Sequence, residues 1–386
     1  MREKLDAALA KHEDMAFALN DFLVANPEIS AQEFKAAAKY EELLKSCGIE
    51  VESEFCGIKT AFLAKIKRVK KPKARFAILA EYDALPGIGH GCGHSASGSL
   101  SFLAALALRE LDIEADIDLI GTPDEEFGGA KVAMSEAGAF KGYDLAMMIH
   151  LTSNFSMPSL SLLALSLLVV DFKGKPAHAS ACPWDGVNAL NAAMLSIHGM
   201  DMLRGHLKPS TRIATIITQG GDAHNIVPER AQIEICIRSD KKAYLEEVKE
   251  KVLNCIKGAC IATGASYEAK ISGNECKDMR LNKTGIELVR QAFTKYGIPF
   301  KEDDFSMQGS SDIGNVSYEC PALHPMMASS TKAFTMHSQE MHDAMANPYI
   351  KGVIRRGALC ISDVFLSLLE DENKLAALRE EFKKEA

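Results

Sequence analysis

The order of apolar segments predicts an α/β chain in two parts. The main part has a mostly parallel central sheet flanked by helices, and a smaller α+β domain of ferredoxin-like order interrupts it. Three observations carry this. The first strands are short, continuous apolar runs such as "RFAILA" (75–80), without the polar alternation of a sheet that faces water. They alternate with helical patterns, which is the signature of parallel strands joined by helices. The chain of 386 residues also exceeds what one hydrophobic core usually organises, and its character changes near Ser159–Leu163.

Taken in order, residues 2–24 and 32–47 have helical periodicity, with "NPEIS" as the turn between them. After the strand 75–80 come a helix over 97–111, a strand over 116–122, a helix over 129–138 and a strand "LAMMIH" over 145–150. The insert then reads strand ("LSLLVVDFKG"), helix (186–203), strand (212–221), strand (230–239), helix (241–263) and strand (266–272). That sequence of elements is the ferredoxin-like one. Helix 282–296, an apolar strand "ALHPMM" and a helix over 347–369 return the chain to the main domain. The expected boundaries are 1–162 with 275–386 for the main domain and 163–274 for the insert.

Composition narrows the class. Hydrophobic residues make up 47% and charged residues 25%, with a net charge of −8, as in globular enzymes. The one basic run, "KIKRVKKPKAR" (65–75), reads as a solvated loop between strands, so no nucleic-acid partner is expected. The N-terminal segment is charged throughout, unlike a signal peptide, and no apolar run reaches the ~20 residues of a membrane span. A cytoplasmic chain with no membrane partner is the expectation. Its ten cysteines lack a framework spacing and read mostly as small buried hydrophobes. Cys92 is the exception.

Cys92 lies in "GIGHGCGH" (87–94), between His90 and His94. This run comes after the first strand, together with Glu81 and Asp83. Asp124, Glu125 and Glu126 come after the strand 116–122, and His150 ends "LAMMIH". His337 in "FTMHSQEMHDA" is a looser candidate, with His342 as its alternative. Ligands of open α/β sheets collect at the carboxyl ends of strands. Any one of these residues has an ordinary structural explanation: a core histidine, or glutamates at a helix start. Three strand ends that converge on imidazole, thiolate and carboxylate donors describe a transition-metal site. Of Glu125 and Glu126, one can ligate metal while the other takes a proton from metal-activated water. "GCGHSA" formally matches a dinucleotide fingerprint, but about ten residues including Pro86 separate it from the strand, where that motif would come directly.

Six segments appear in order: "EYDALPGIGHGCGH", "GTPDEEFGGAKVAMSEAGAF", "FKGKPAHASACPWDGVNAL", "GGDAHNIVPERAQIEICIR", "QGSSDIGNVS" and "HSQEM". Together they resemble the dinuclear metallopeptidases and amidohydrolases typified by aminoacylases, carboxypeptidase G and indole-acetyl-amino-acid hydrolases. The branch with aminobenzoyl-glutamate hydrolases and β-alanyl-dipeptide peptidases is the most similar. The resemblance implies two divalent ions per chain, zinc or manganese first, with cobalt or nickel as alternatives. It makes Cys92 the bridging ligand, where other branches carry aspartate, and adds His94, Glu126, His150 and His337 as metal ligands. Glu125 would be the general base and Asp83 would orient a ligand from behind. From the insert, His178 and Asn225 would stabilise the oxyanion, and Arg238 would grip a substrate carboxylate through its bidentate fork. The implied reaction is hydrolysis of the amide bond of small N-acyl amino acids or dipeptides with a free carboxylate, in a homodimer joined through the insert. A metal-bound homologue without catalysis, serving binding or regulation, is the alternative. Ser95, where related branches carry Asp or Asn, departs from the pattern.

Overall fold

A computed structural model describes residues 2–303 and 309–385, which excludes Gln308 at the head of "QGSSDIGNVS". The described residues form two compact units. One runs up to Ser161 and resumes at Met279, and the other spans Leu162–Asp278.

The main unit begins with helices α1 (Arg2–Ala25) and α2 (Phe34–Ser46) and strands β1 (Glu50–Ser53), β2 (Phe62–Lys67) and β3 (Ala74–Ala80). It continues with α3 (His94–Glu110), β4 (Ala115–Gly121), α4 (Ala130–Glu136), β5 (Leu145–Met147) and β6 (His150–Thr152). The second unit holds β7 (Ala164–Lys173), α5 (Ala189–Leu203), β8 (Arg212–Gln219), β9 (Arg230–Ser239), α6 (Lys242–Thr263) and β10 (Ser266–Ile271). The main unit then closes with α7 (Lys283–Lys295), α8 (Ile313–Val316), β11 (Ala322–Leu323), β12 (Met326–Ala328), α9 (Gln339–Ala346), α10 (Tyr349–Glu370) and α11 (Glu372–Glu385).

In the main sheet the order is β1-β2-β4-β3-β5-β11. The β4–β3, β3–β5 and β5–β11 pairings are parallel, and β1 and β2 add an antiparallel edge. β3 is buried along nearly its whole length, which is why it lacks alternation. Helix α3 packs on β3 beneath α1 and α10, and every residue from His94 to Leu108 is buried. Small residues permit this depth. A Cβ on Gly98 would sit 2.2 Å from Tyr40 Oη and 2.4 Å from the Glu81 carbonyl oxygen, so only glycine lets α3 approach the end of β3.

Two single strands expected from the sequence are each broken. "LAMMIH" divides into β5 and β6, and "ALHPMM" into β11 and β12. β6 and β12 form a separate parallel pair in which Met326 faces His150. Pro325 explains the break, since it has no N–H to continue the ladder, while its carbonyl still accepts the His150 N–H at 3.0 Å.

In the second unit the order is β10-β7-β9-β8, antiparallel throughout, which is the ferredoxin-like arrangement. Leu168, Val170 and Phe172 of β7 point into a core shared with α5 and α6, while Leu167 faces outward.

Candidate metal centre

The C-terminal end of β3 passes through Glu81 and Asp83 into the glycine-rich turn and then into α3. Gly93 makes that turn possible. Its φ is +89°, and a Cβ there would lie 2.7 Å from Met341 Cε and 3.0 Å from Leu151 Cβ. Cys92 and His94 therefore flank a residue that only glycine can be. Asp83 sets the orientation of His94. Its Oδ1 accepts the His94 Nδ1–H at 2.9 Å, and its Oδ2 accepts the Glu126 N–H at 3.0 Å and the Ser30 hydroxyl at 2.8 Å. One carboxylate thus joins two strand ends and turns His94 Nε2 toward the site.

The loop after β4 turns on Asp124, which has a left-handed φ of +58°. Buried Glu33 holds it there, its Oε1 accepting the N–H groups of Asp124 at 2.9 Å and Ala31 at 2.8 Å. The irregular turn sends two neighbouring glutamates in different directions. Glu126 Oε1 lies 3.5 Å from His337 Nε2, and Glu125 Oε2 lies 3.9 Å from His94 Nε2. His150 donates through Nδ1 to the Leu151 carbonyl at 2.8 Å, so its Nε2, 3.4 Å from Cys92 Sγ, is free to ligate. His337 is held in a left-handed conformation, φ +59°, with its N–H donating to the Gly91 carbonyl at 2.9 Å.

Donor atoms within 4.8 Å of one another form the groups Cys92–His94–His150, Cys92–Glu126–His337, His94–Glu125–Glu126 and Glu81–Glu125–Asp312. Cys92 belongs to the first two. The five ligands implied by the resemblance and Glu125 thus come together, with Asp83 behind them. His342 does not join them: its Nδ1 accepts the His90 N–H at 3.1 Å. His178, Asn225 and Arg238 belong to the second unit. There the backbones of His178 and Ile226 pair, and the Ala179 N–H donates to the Asn225 carbonyl at 2.9 Å, so His178 and Asn225 lie on adjacent stretches of chain with exposed side chains.

Known proteins share this organisation. Residues 165–263 match a peptidase dimerisation domain. Over 383 residues the chain is 31% identical to the Xaa-Arg dipeptidase of Mus musculus, covering 95% of this chain and 88% of that protein. The chain belongs to the M20 peptidase family. It is 28% identical over 319 residues to a p-aminobenzoyl-glutamate hydrolase chain of Escherichia coli, covering 77% of this chain and 65% of that one. The fold also matches a dinuclear metal-binding M20 peptidase of Bacillus subtilis (TM-score 0.70, 17% identity, 94% and 99% of the two chains). An aminobenzoyl-glutamate utilization protein of Klebsiella pneumoniae gives a TM-score of 0.69 at 18% identity, over 92% and 98% of the chains. As a member of M20 the chain is an enzyme of peptidase type. No described helix is long and apolar enough to cross a membrane.

The residues of this M20 site fit divalent ions. His94 Nε2 and Glu126 Oε1 are buried without a hydrogen-bond partner. The gaps of Cys92–His150 and Glu126–His337 are 3.4 and 3.5 Å. They match the separation of two donors on one tetrahedral ion with bonds of about 2.0–2.3 Å. Protonation states agree. Burial, helped by His94, pushes His150 down to about 3, so it is the neutral imidazole a metal requires. Burial raises the Cys92 thiol well above its ordinary value, and Glu126 and Glu125 add to this, so metal uptake must expel its proton. Burial works against the His94 imidazolium, but Cys92, Asp83 and Glu81 outweigh it and raise His94, so an ion at Nε2 must displace a proton there as at Cys92. For Asp83 burial is likewise outweighed, by His94 and by the Glu126 N–H, which hold it well below the usual carboxylate range. Glu125 is raised by burial first, then by Glu81 and Asp312.

Several residues of the site escape sequence reading. Lys131 is fully buried, with Nζ 2.7 Å from both Glu81 Oε1 and Asp312 Oδ1. Its place in a helical pattern reads as that of an ordinary solvated lysine. Glu33 gives no signal beyond an acidic helix start. His324 is buried with its ring 5.5 Å from that of His150, edge to face. His90, which the glycine-rich motif does display, is also buried.

Proposed function

We propose that this M20 peptidase hydrolyses the amide bond of dipeptides and other small N-acyl amino acids with a free carboxylate, with two divalent ions per chain. The observation that carries this is Cys92, a member of two donor groups at once, with Glu125 beside them. The charge balance supports it as well. Glu81 and Asp312 share one buried ammonium, Lys131, and Asp83 pairs with His94, while the half-buried Glu125 and Glu126 stand beside them, an excess of carboxylates that calls for further cations.

Cys92, His94 and His150 would hold one ion, and Cys92, Glu126 and His337 the other. Divalent ions held there supply Lewis acidity, which polarises a carbonyl and brings the pKa of water toward neutrality. Glu125, ligated to neither, takes the proton of the attacking water on its carboxylate and returns it to the leaving nitrogen. Asp83 keeps His94 in the Nδ1–H tautomer and pins the backbone of Glu126. His178 and Asn225 would donate to the developing oxyanion, and Arg238 would pair with the substrate carboxylate. The dipeptidase relative supports dipeptides as the first substrate class to test. A homodimer through the second unit is supported by the dimerisation-domain match and by exposed apolar side chains on α5 and β8, Met202 at 75% and Ile216 at 58%.

The test is a hydrolysis panel after chelation and reloading with zinc or manganese. It contains a dipeptide with C-terminal arginine, an N-acetyl amino acid, aminobenzoyl-glutamate and a C-terminally amidated dipeptide. Metal-dependent cleavage confined to the free carboxylates is the expected result. Failure to cleave any of them with either metal restored would overturn the proposal.

A further inference from the structure

Glu81 sits one residue past β3 and is completely buried, as are His94 and Lys131 around it. Its two oxygens differ. Oε1 accepts from the Lys131 ammonium at 2.7 Å, and Lys131 is itself fixed by Asp312, through Nζ at 2.7 Å and its backbone N–H at 3.0 Å. Oε2 has no hydrogen-bond donor and lies 3.4 Å from His94 Nε2, which is also without a partner.

That juxtaposition is chemically specific. With Nδ1–H committed to Asp83, His94 Nε2 and Glu81 Oε2 face each other across 3.4 Å in a dry site, where either a proton on Nε2 or a metal ion must stand between them. Such a pair is stable only with a cation shared between its atoms. At 3.4 Å a proton makes a poor bridge, whereas one ion with bonds of about 2.1 Å to each donor spans this gap near the tetrahedral angle. The group Cys92–His94–His150 supplies three protein donors and leaves a fourth position to be filled.

We propose that Glu81, clamped through Oε1 by Lys131, is an additional ligand through Oε2 to the ion held by Cys92, His94 and His150. The inference rests on the two-metal reading of the site. Glu81 makes that ion the more enclosed of the two, while the ion of Cys92, Glu126 and His337 keeps the position for substrate and water. His337, 53% exposed at its side chain against 0% for His94, marks the second site as the open one. Lys131 is a positioning residue: it holds one oxygen of Glu81 so that the other faces His94.

The experiment is competitive zinc titration of stripped protein against a chromophoric chelator, with elemental analysis at saturation. It compares wild type, Glu81→Gln, Glu81→Asp and Lys131→Met. Wild type takes up two ions. Glu81→Gln keeps one at wild-type affinity and loses affinity for the other by more than the roughly 10–100-fold that attends loss of an outer partner of a ligand. Lys131→Met falls within that range. Cobalt-loaded Glu81→Gln has altered visible bands for one of two ions. Glu81→Asp retains charge but retracts the oxygens by one methylene, and shows the same selective loss if Glu81→Gln does not fold. Two ions at wild-type affinity in either folded Glu81 variant, with an unchanged cobalt spectrum, would overturn the ligand role alone. A wild-type protein that binds no metal would reject the proposed function itself.

Discussion

The Glu33→Gln substitution tests how the turn bearing Glu125 and Glu126 is held. Glu33 is fully buried, with Oε1 on the Ala31 and Asp124 N–H groups and Oε2 on the Thr60 hydroxyl at 2.9 Å. Burial, reinforced by the charge of Asp83, raises its pKa from 4.5 to about 7. A carboxyl raised in the folded state contributes stability that is complete below its unfolded pKa and is lost as pH rises through the folded one. The gap of roughly 2.5 pH units corresponds to about 3 kcal/mol, lost between about pH 4.5 and pH 8. Glutamine mimics the protonated acid: its oxygen keeps both backbone N–H groups and its amide donates to Thr60. Denaturant unfolding of both proteins across this range isolates the effect, because every other titrating group cancels in the difference. The stability of Glu33→Gln relative to wild type is expected to rise by about 3 kcal/mol from the acidic to the alkaline end. A difference that stays flat with pH would refute the assignment of a protonated Glu33.

Three further outcomes are expected at the site. Glu125→Gln should lower turnover by about 100- to 10,000-fold with metal content unchanged, and near-normal turnover at full metal content would remove Glu125 as the base. Asp83→Ala releases His94 Nδ1–H and the Glu126 N–H together, so metal affinity in a chelator competition should fall about 10- to 100-fold. Arg238→Ala should raise KM for free-carboxylate substrates with a smaller change in kcat. An unchanged KM would place carboxylate recognition elsewhere.

Much of the fold is legible because burial leaves a mark on the sequence. β3 and β4 are buried along nearly their whole length, β3 reads as an almost unbroken apolar run, and the limits of both lie within a residue of expectation. α3 begins at His94, three residues before the expected start, because His94 and Ser95 are polar residues in a buried first turn beside the metal donors. β1 ("EVES") is a largely exposed edge strand with no apolar run to betray it. The division of "LAMMIH" depends on Pro325, 175 residues after its last residue, which no local pattern conveys.

The candidate ligands are readable because most of them come just after a strand, in chemically distinctive motifs. Lys131 is not, because its meaning lies in partners 50 and 181 positions away that remove it from water. Glu33 is hidden for the same reason, 91 positions from the Asp124 N–H that it holds. Motifs disclose the candidate ligands, and only the folded chain discloses what holds those residues in place.

The most direct test titrates zinc or manganese into stripped protein while hydrolysis of a dipeptide is monitored, for wild type and Cys92→Ala. A shared thiolate predicts activity that saturates at two equivalents per chain in wild type. In Cys92→Ala both ions should be lost or weakened together, since each loses the same ligand. Full activity in metal-free wild type, or two tightly held ions in Cys92→Ala, would contradict the account.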